Sequence, residues 1–408
     1  MNVLFFSPGF PAEMPLFARG LAAVGARVHG IGDQPEGALP ADARDALSSY
    51  LRISSWSDEQ AVIREVREWM RGKSVDRIEC LWEPHMILAA RLREVLGVPG
   101  MTVEQTVPFR DKEVMKQRIE AAGLRVPRHA RATTVKEAWA GVEKVGYPAI
   151  VKPISGAGSK DTHRCNDKGE FERALGLTRH VAELSVEEYI DGDELTFDTI
   201  CAGGQVLYHS VAWYLPKPMV LAHNPWISMQ NIVLRDPNHE FSRPGVTLGL
   251  GVLRALGFET GFTHMEWYRK PDGEAVFGEI GGRPAGARLV HAMNYACDMD
   301  LFRGWASAVC HGVLGQPLTR KYNASMVFKR AVGHGRVVRY EGLDALMARH
   351  GAHVANCELT PIGQPRRDPS QVVVGDGWIV VRHEDLQRTR EMSEAFACDF
   401  RIVAEGEP

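Results

Sequence analysis

Two glutamates, Glu266 and Glu279, each sit in an apolar surround, Thr-His-Met-Glu-Trp-Tyr and Ala-Val-Phe-Gly-Glu-Ile. The residues on either side of Pro271-Asp272-Gly273 read as a hairpin, with strands over 263–268 and 275–280. Two carboxylates aimed at one half-buried surface repel unless something positive lies between them. A divalent cation answers that need, and the hard oxygens of Glu suit Mg²⁺. Arg283 follows on a Gly- and Pro-rich bend, where a guanidinium can clamp a phosphate or a carboxylate.

Other residues suit phosphate. Lys152 interrupts an apolar strand over 147–153, so its ammonium must meet an anion or solvent at the strand end. Ile154-Ser155-Gly156-Ala157-Gly158-Ser159-Lys160-Asp161 follows, small enough for backbone N–H groups to curl around an anion. It is not a Walker loop, because G-K-[ST] is absent; a Gly-rich hairpin turn is the alternative. Glu187, Glu188 and Glu194 gather at one strand end and its turn, which taken alone could be an ordinary exposed turn. Lys112 follows Asp111, the expected N-cap of a helix that stops at Gly123. Alone it reads as a surface lysine. Glu83 lies just past a strand over 77–82, where it either touches a substrate or is a solvated loop acid.

These groups need a frame. At 408 residues the chain exceeds one ordinary domain. Residues 2–7, 14–24 and 27–31 read as β-α-β, and the first hundred residues as a small α/β unit with a parallel sheet. A helix over 135–145, strands over 185–190, 195–201 and 206–212, and a helix over 245–256 follow. Residues 215–243 carry four prolines and aromatics such as Trp226 and read as an irregular functional lid or binding loop. Residues 288–309 read as one helix, which puts His291 one turn after Arg288 and facing the bend at Arg283. Short strands from Ser325 onward read as a C-terminal α+β module.

Composition narrows the class. Hydrophobic content of 45% and charged content of 24% are ordinary for a globular protein, and a net charge of −3 gives no reason to expect a nucleic acid or an anionic membrane as partner. Seven scattered cysteines without a C-x-x-C pair point to a reduced, cytoplasmic protein. No signal peptide or bilayer-spanning run is expected.

In their order along the chain, Arg-Asp-Lys112, Val-Lys152-Pro, the loop 155–161, Val-Glu187-Glu-Tyr-Ile-Asp-Gly-Asp-Glu194, Glu266 and Glu279-Ile-Gly-Gly-Arg283 resemble the ATP-grasp superfamily of carboxylate–amine ligases, most of all its amino-acid ligase branch. The resemblance implies a mixed α/β and α+β fold: a Rossmann-like pre-ATP-grasp domain over 1–106, an ATP-grasp domain of two α+β subdomains over 107–315 with its nucleotide lid at about 125–190, and a strand-rich module over 316–408. It implies ATP and Mg²⁺ (or Mn²⁺), a small-molecule carboxylate and amine as substrates, and a homodimer. Lys112 and Lys152 would reach the phosphates. Ser155, Gly156, Gly158 and Ser159 would close over them. Glu187, the Glu188 carbonyl, Tyr189 and the Ile190 N–H would meet adenine, and Glu194 the ribose. Glu266 and Glu279 would hold the metal, while Arg283 steadies an acyl phosphate. Glu83, Trp226, Arg288 and His291 are the substrate candidates. Many members carry Asn two positions after the second acid as a further ligand; here that position is Gly281, and Asn294 could replace it only if its helix folds back. A carboxylase or phosphotransferase on the same fold, or a nucleotide-binding protein without catalysis, are the alternatives.

Overall fold

Strand periodicity and glycine turns resolve into four sheets in the computed structural model, which describes residues 1–155, 161–217, 220, 221, 224, 226–367 and 374–406. The N-terminal sheet is parallel, with Arg27–Gly32 and Arg77–Glu79 flanking Asn2–Phe6. A fourth strand, Leu47–Arg52, was not read from the sequence, because its Ser and Tyr residues leave it only partly buried at the sheet edge. The central sheet has nine strands; its main path runs from the hairpin Gly261–Arg269 and Ala275–Gly281 through Asp193–Ala202, Ala212–Leu215 and Gln230–Val233 to Asn323–Lys329, Gly377–His383 and Val354–Leu359. A four-stranded sheet built from His129–Ala132, Leu184–Glu188, Ala149–Pro153 and His163–Cys165 covers one side of the cleft with its own apolar core.

One core joins the first unit to the central sheet: Leu4, Phe6, Leu88 and Phe109 pack with Leu195, Phe197, Met265, Trp267, Phe277 and Ile280. This fixes the N-terminal unit against the back of the hairpin. Three expectations change in detail. Residues 215–243 are not irregular throughout, since Gln230–Val233 is a wholly buried strand in the middle of the sheet. Residues 288–309 form two helices, Leu289–Cys297 and Leu301–His311; Asp298 turns left-handed (φ 49°) and Asp300 caps the second through the Arg303 N–H at 3.1 Å. The strands after Ser325 do not make a sheet of their own alone, because Asn323–Lys329 and Gly377–His383 continue the central one. Gln371-Val-Val-Val, which its β-branched run makes a strand by sequence, lies almost wholly outside the described residues. Among the described residues no helix is long and apolar enough to cross a membrane.

Candidate active site

The acidic face is built by register. Glu266 pairs directly with Glu279 on one side and with Thr196 on the other, and the next row aligns Asp198, His264 and Gly281. Side chains alternate along a strand, so these two rows share a face, while Leu195, Phe197, Met265 and Trp267 go to the core behind. A bulge at Gly278 makes this possible. It leaves residue 278 unpaired, so that Phe277 and Ile280 both reach the core while Glu279 stays opposite Glu266. A Cβ at 278 would lie 2.8 Å from the Glu266 carbonyl oxygen, so only glycine fits.

Charge on this face is unbalanced. Glu194, one row further along the 193–202 strand, is buried. Burial, and then the charges of Glu266 and Glu279, push its carboxyl well above the usual carboxylate range. Burial also works against ionisation of Glu279, but Lys112 (3.3 Å) and Lys152 outweigh it and hold the carboxyl at about 2. His264 donates through Nδ1 to Asp198 (2.7 Å) and lies 3.5 Å from Glu266 through Nε2. Burial disfavours its charge, but Asp198 and then Glu266 raise it to about 9, so the ring is an imidazolium at neutral pH.

Across the cleft the charges are paired. The helix Lys112–Ala121 begins where Asp111 Oδ1 accepts from the N–H groups of Glu113 and Val114. Its Met115 and Ile119 enter the core, while Lys112 reaches Glu279 on the hairpin and Lys116, one turn on, reaches the four-stranded sheet. Lys116 is fully buried and gives Nζ to Glu187 at 2.8 Å; Lys152 reaches the other oxygen of Glu187 at 3.0 Å. Burial opposes ionisation of Glu187, yet the two ammonium groups hold its carboxyl far below the usual range. Beside them Glu113 accepts from His129 (2.7 Å) and Ser185.

A third element closes the site. Arg283 gives Nε to Glu83 at 2.8 Å and Nη1 to the Pro284 carbonyl, and Arg110 pairs with the other oxygen of Glu83. Lysines, acids and a guanidinium thus converge on one cleft from three elements. Residues 109–213 match the ATP-grasp domain family. The chain carries an ATP-grasp domain. The L-arginine-specific L-amino acid ligase of Bacillus subtilis is 26% identical over 284 residues, 65% of this chain and 66% of that one, and this chain spans still less of the curated relatives that follow. Among solved structures, the L-amino acid ligase from Bacillus licheniformis matches with a TM-score of 0.77 at 20% identity, covering 99% of both chains. The N5-carboxyaminoimidazole synthetase from Staphylococcus aureus, complexed with ADP, matches at 0.69 and 17% identity over 97% of this chain and 96% of that one. The chain shares the fold of these two enzymes.

The matched ATP-grasp segment takes in Lys112, Lys152, Glu187 and Glu194; the hairpin acids follow it, on the same sheet as Glu194. Of the residues expected beside adenine, Glu188 turns its carboxylate to Arg125 and the Arg128 N–H, and Tyr189 lies under the Arg164 guanidinium at 4.0 Å. The Ile190 N–H donates to no acceptor among the described residues. Ser155 is exposed, and Gly156, Gly158 and Ser159 lie outside the described residues.

Three substrate candidates are not brought to the cluster. Arg288 is not the first turn of a helix but its cap, left-handed at φ 55°, which swings the guanidinium 4.0 Å over Trp378. His291 consequently faces Phe302 (5.2 Å) rather than the bend. Trp226 stands 71% exposed. Asn294 cannot replace the ligand missing at Gly281, because its Oδ1 accepts the Leu301 N–H at 2.9 Å between the two helices. A Cβ at Gly281 would already meet the Arg283 stem at 3.2 Å, so the space is shared with that arginine.

The donor set fits Mg²⁺. Among the described residues no cluster of three or more His, Cys, Asp or Glu forms a metal cage. Two carboxylates facing a phosphate site are what Mg²⁺ uses, since it keeps water and phosphate oxygens for its other positions. A separate cavity of about 570 Å³, lined by Glu79, Arg93, Phe258 and Val309 among others, contains none of the predicted site residues. Sequence reading missed Arg110, Lys116 and His264. The spacing held a signal for two of them: Lys116 is one turn past Lys112, and His264 is two residues before Glu266 on the same strand face.

Proposed function

We propose that this chain couples a small carboxylic acid, an amino acid, to an amine, converting ATP to ADP and phosphate through an acyl phosphate. The observation that carries this reading is the direct register of Glu266 with Glu279, with Lys112 on one acid and Lys152 beside it. The amino-acid ligases among the relatives support the substrate class. Glu266 and Glu279 would hold Mg²⁺, which when bound draws charge from the transferring phosphoryl group. Lys112 and Lys152 orient the phosphates, and Glu194 faces the ribose. The acid's oxygen attacks the γ-phosphorus, the bond to the β,γ-bridging oxygen breaks, and ADP leaves. The amine nitrogen then attacks the acyl carbon, the C–O bond to phosphate breaks, and the amine loses its proton. Arg283 meets the acyl phosphate, and the cleft walls keep water from it. No side-chain nucleophile is needed. ADP release and product mass spectrometry with ATP, Mg²⁺ and pooled amino acids and amines test the reading; bound ATP with no stimulated ADP release by any pool would refute it.

A further inference from the structure

Glu83 is held between two guanidiniums from different parts of the chain. It begins a turn just beyond the strand Arg77–Glu79 of the N-terminal sheet. Arg110 precedes the cap of the Lys112–Ala121 helix and pairs with Oε1; Arg283 follows the hairpin and pairs with Oε2 at 2.8 Å. Packing beneath brings the two arginines together independently of that carboxylate. Phe109 is buried in the core, and a Cβ on Gly282 would lie 3.0 Å from the Met86 methyl and 3.6 Å from Phe109, so the bend after the hairpin packs closely on this part of the core. The three side chains keep 22%, 13% and 19% exposure for Arg110, Glu83 and Arg283, so the group borders the cleft rather than being sealed in the core.

The charge and donor count do not close within the trio. Two guanidiniums against one carboxylate leave one positive charge. Each guanidinium carries five N–H donors. Arg283 uses Nε on Glu83 and one Nη1–H on the Pro284 carbonyl, leaving three of its five N–H groups; Arg110 uses one Nη1–H, leaving four. We propose that Arg110 is a second anion-binding arm beside Arg283, that both grip the phosphoryl oxygens of the acyl phosphate and of the phosphate it releases, and that Glu83 is the shared positioning residue rather than a substrate contact. Glu83 also links the N-terminal unit to this grip, so that unit's placement sets the arginines' aim. This inference rests on the ligase reading above.

Inorganic phosphate, titrated calorimetrically into the protein with ADP and Mg²⁺ present, needs neither substrate to be known. Arg110→Gln should weaken phosphate binding about ten-fold or more, the scale of one lost charge-assisted hydrogen bond. ADP affinity should stay within about two-fold, and Arg110→Lys should recover part of the loss. Glu83→Gln keeps both cations and a side chain of the same shape but loosens their aim, so phosphate binding should weaken by less than with Arg110→Gln. Equal weakening by Glu83→Gln and Arg110→Gln would mean a purely structural pair and would overturn the proposal, as would failure of the unaltered protein to bind phosphate beside bound ADP. If ADP itself does not bind, the ligase reading beneath falls first.

Discussion

The two walls of the cleft treat charge in opposite ways. On the side of the four-stranded sheet, buried Lys116 and Glu187 and half-buried Lys152 satisfy one another, and Glu113, His129 and Ser185 form a second closed set. On the hairpin side, Glu194, Glu266 and Glu279 share one face, and burial with mutual repulsion pushes Glu194 toward its neutral form. Buried charges persist when paired, and breaking such a pair leaves the survivor stranded. On the proposed reading, the side of the four-stranded sheet is scaffold that would also present an ammonium to phosphate, whereas the hairpin side is a deficit that a cation would complete. Side chains of the same type have different jobs because their partners are supplied at different times.

Glu279→Gln tests this contrast hardest. Mg²⁺-dependent ADP formation should fall by about a thousand-fold, as when a preorganised electrostatic group is lost. The variant should fold, with a smaller loss of melting temperature than Glu187→Gln, because Lys112 loses its 3.3 Å partner while the repulsion on Glu194 and Glu266 eases. Near-normal turnover would break the assignment. Glu187→Gln should do the reverse: urea denaturation should show about 3–5 kcal/mol of lost stability, since Lys116 and Lys152 keep charges without their counterion. A loss below about 1 kcal/mol would mean that this wall is not the prepaid scaffold described.

His264 sharpens the comparison through pH. Its folded value of about 9 exceeds the ordinary 6.5, so its contribution is full below 6.5 and is lost as pH rises through 9. In protein kept free of metal with a chelator, stability should drop by about 3 kcal/mol across that window, and His264→Gln should flatten the dependence. Arg288→Ala should have the smallest effect. With its guanidinium over Trp378, the KM for the acid should stay within about two-fold; a large rise would return Arg288 to the site.

Much of the acidic wall could be read in advance because strand alternation is a strong signal. Glu266 and Glu279 emerged from apolar runs, and Asp111 as a cap from its place before a helical stripe. The bulge at Gly278 could not be read, since one glycine in a strand has no unique geometry until its partner strand is known. Arg110 and Glu83 lie 27 positions apart, and Glu83 and Arg283 lie 200 apart, so no local pattern joins them. The error at Arg288 has a local cause. Helical spacing continued across it, but the backbone enters the left-handed region at Ala287 and Arg288, and Asp298 breaks the run again.

The strand Gly377–His383 pairs with Asn323–Lys329, which pairs in turn with Gln230–Val233. On a ribosome, that arrangement sets a timetable. The hairpin and its neighbours can pair once residue 281 has emerged, but the strand at 230–233 still waits for 323–329, and that strand waits for 377–383. Until then one border of a largely apolar sheet stays open to other chains. The acidic wall can thus be complete in outline long before the sheet that supports it is closed, and interruption of synthesis between those points would yield a chain with its chemistry in place and an edge prone to aggregation.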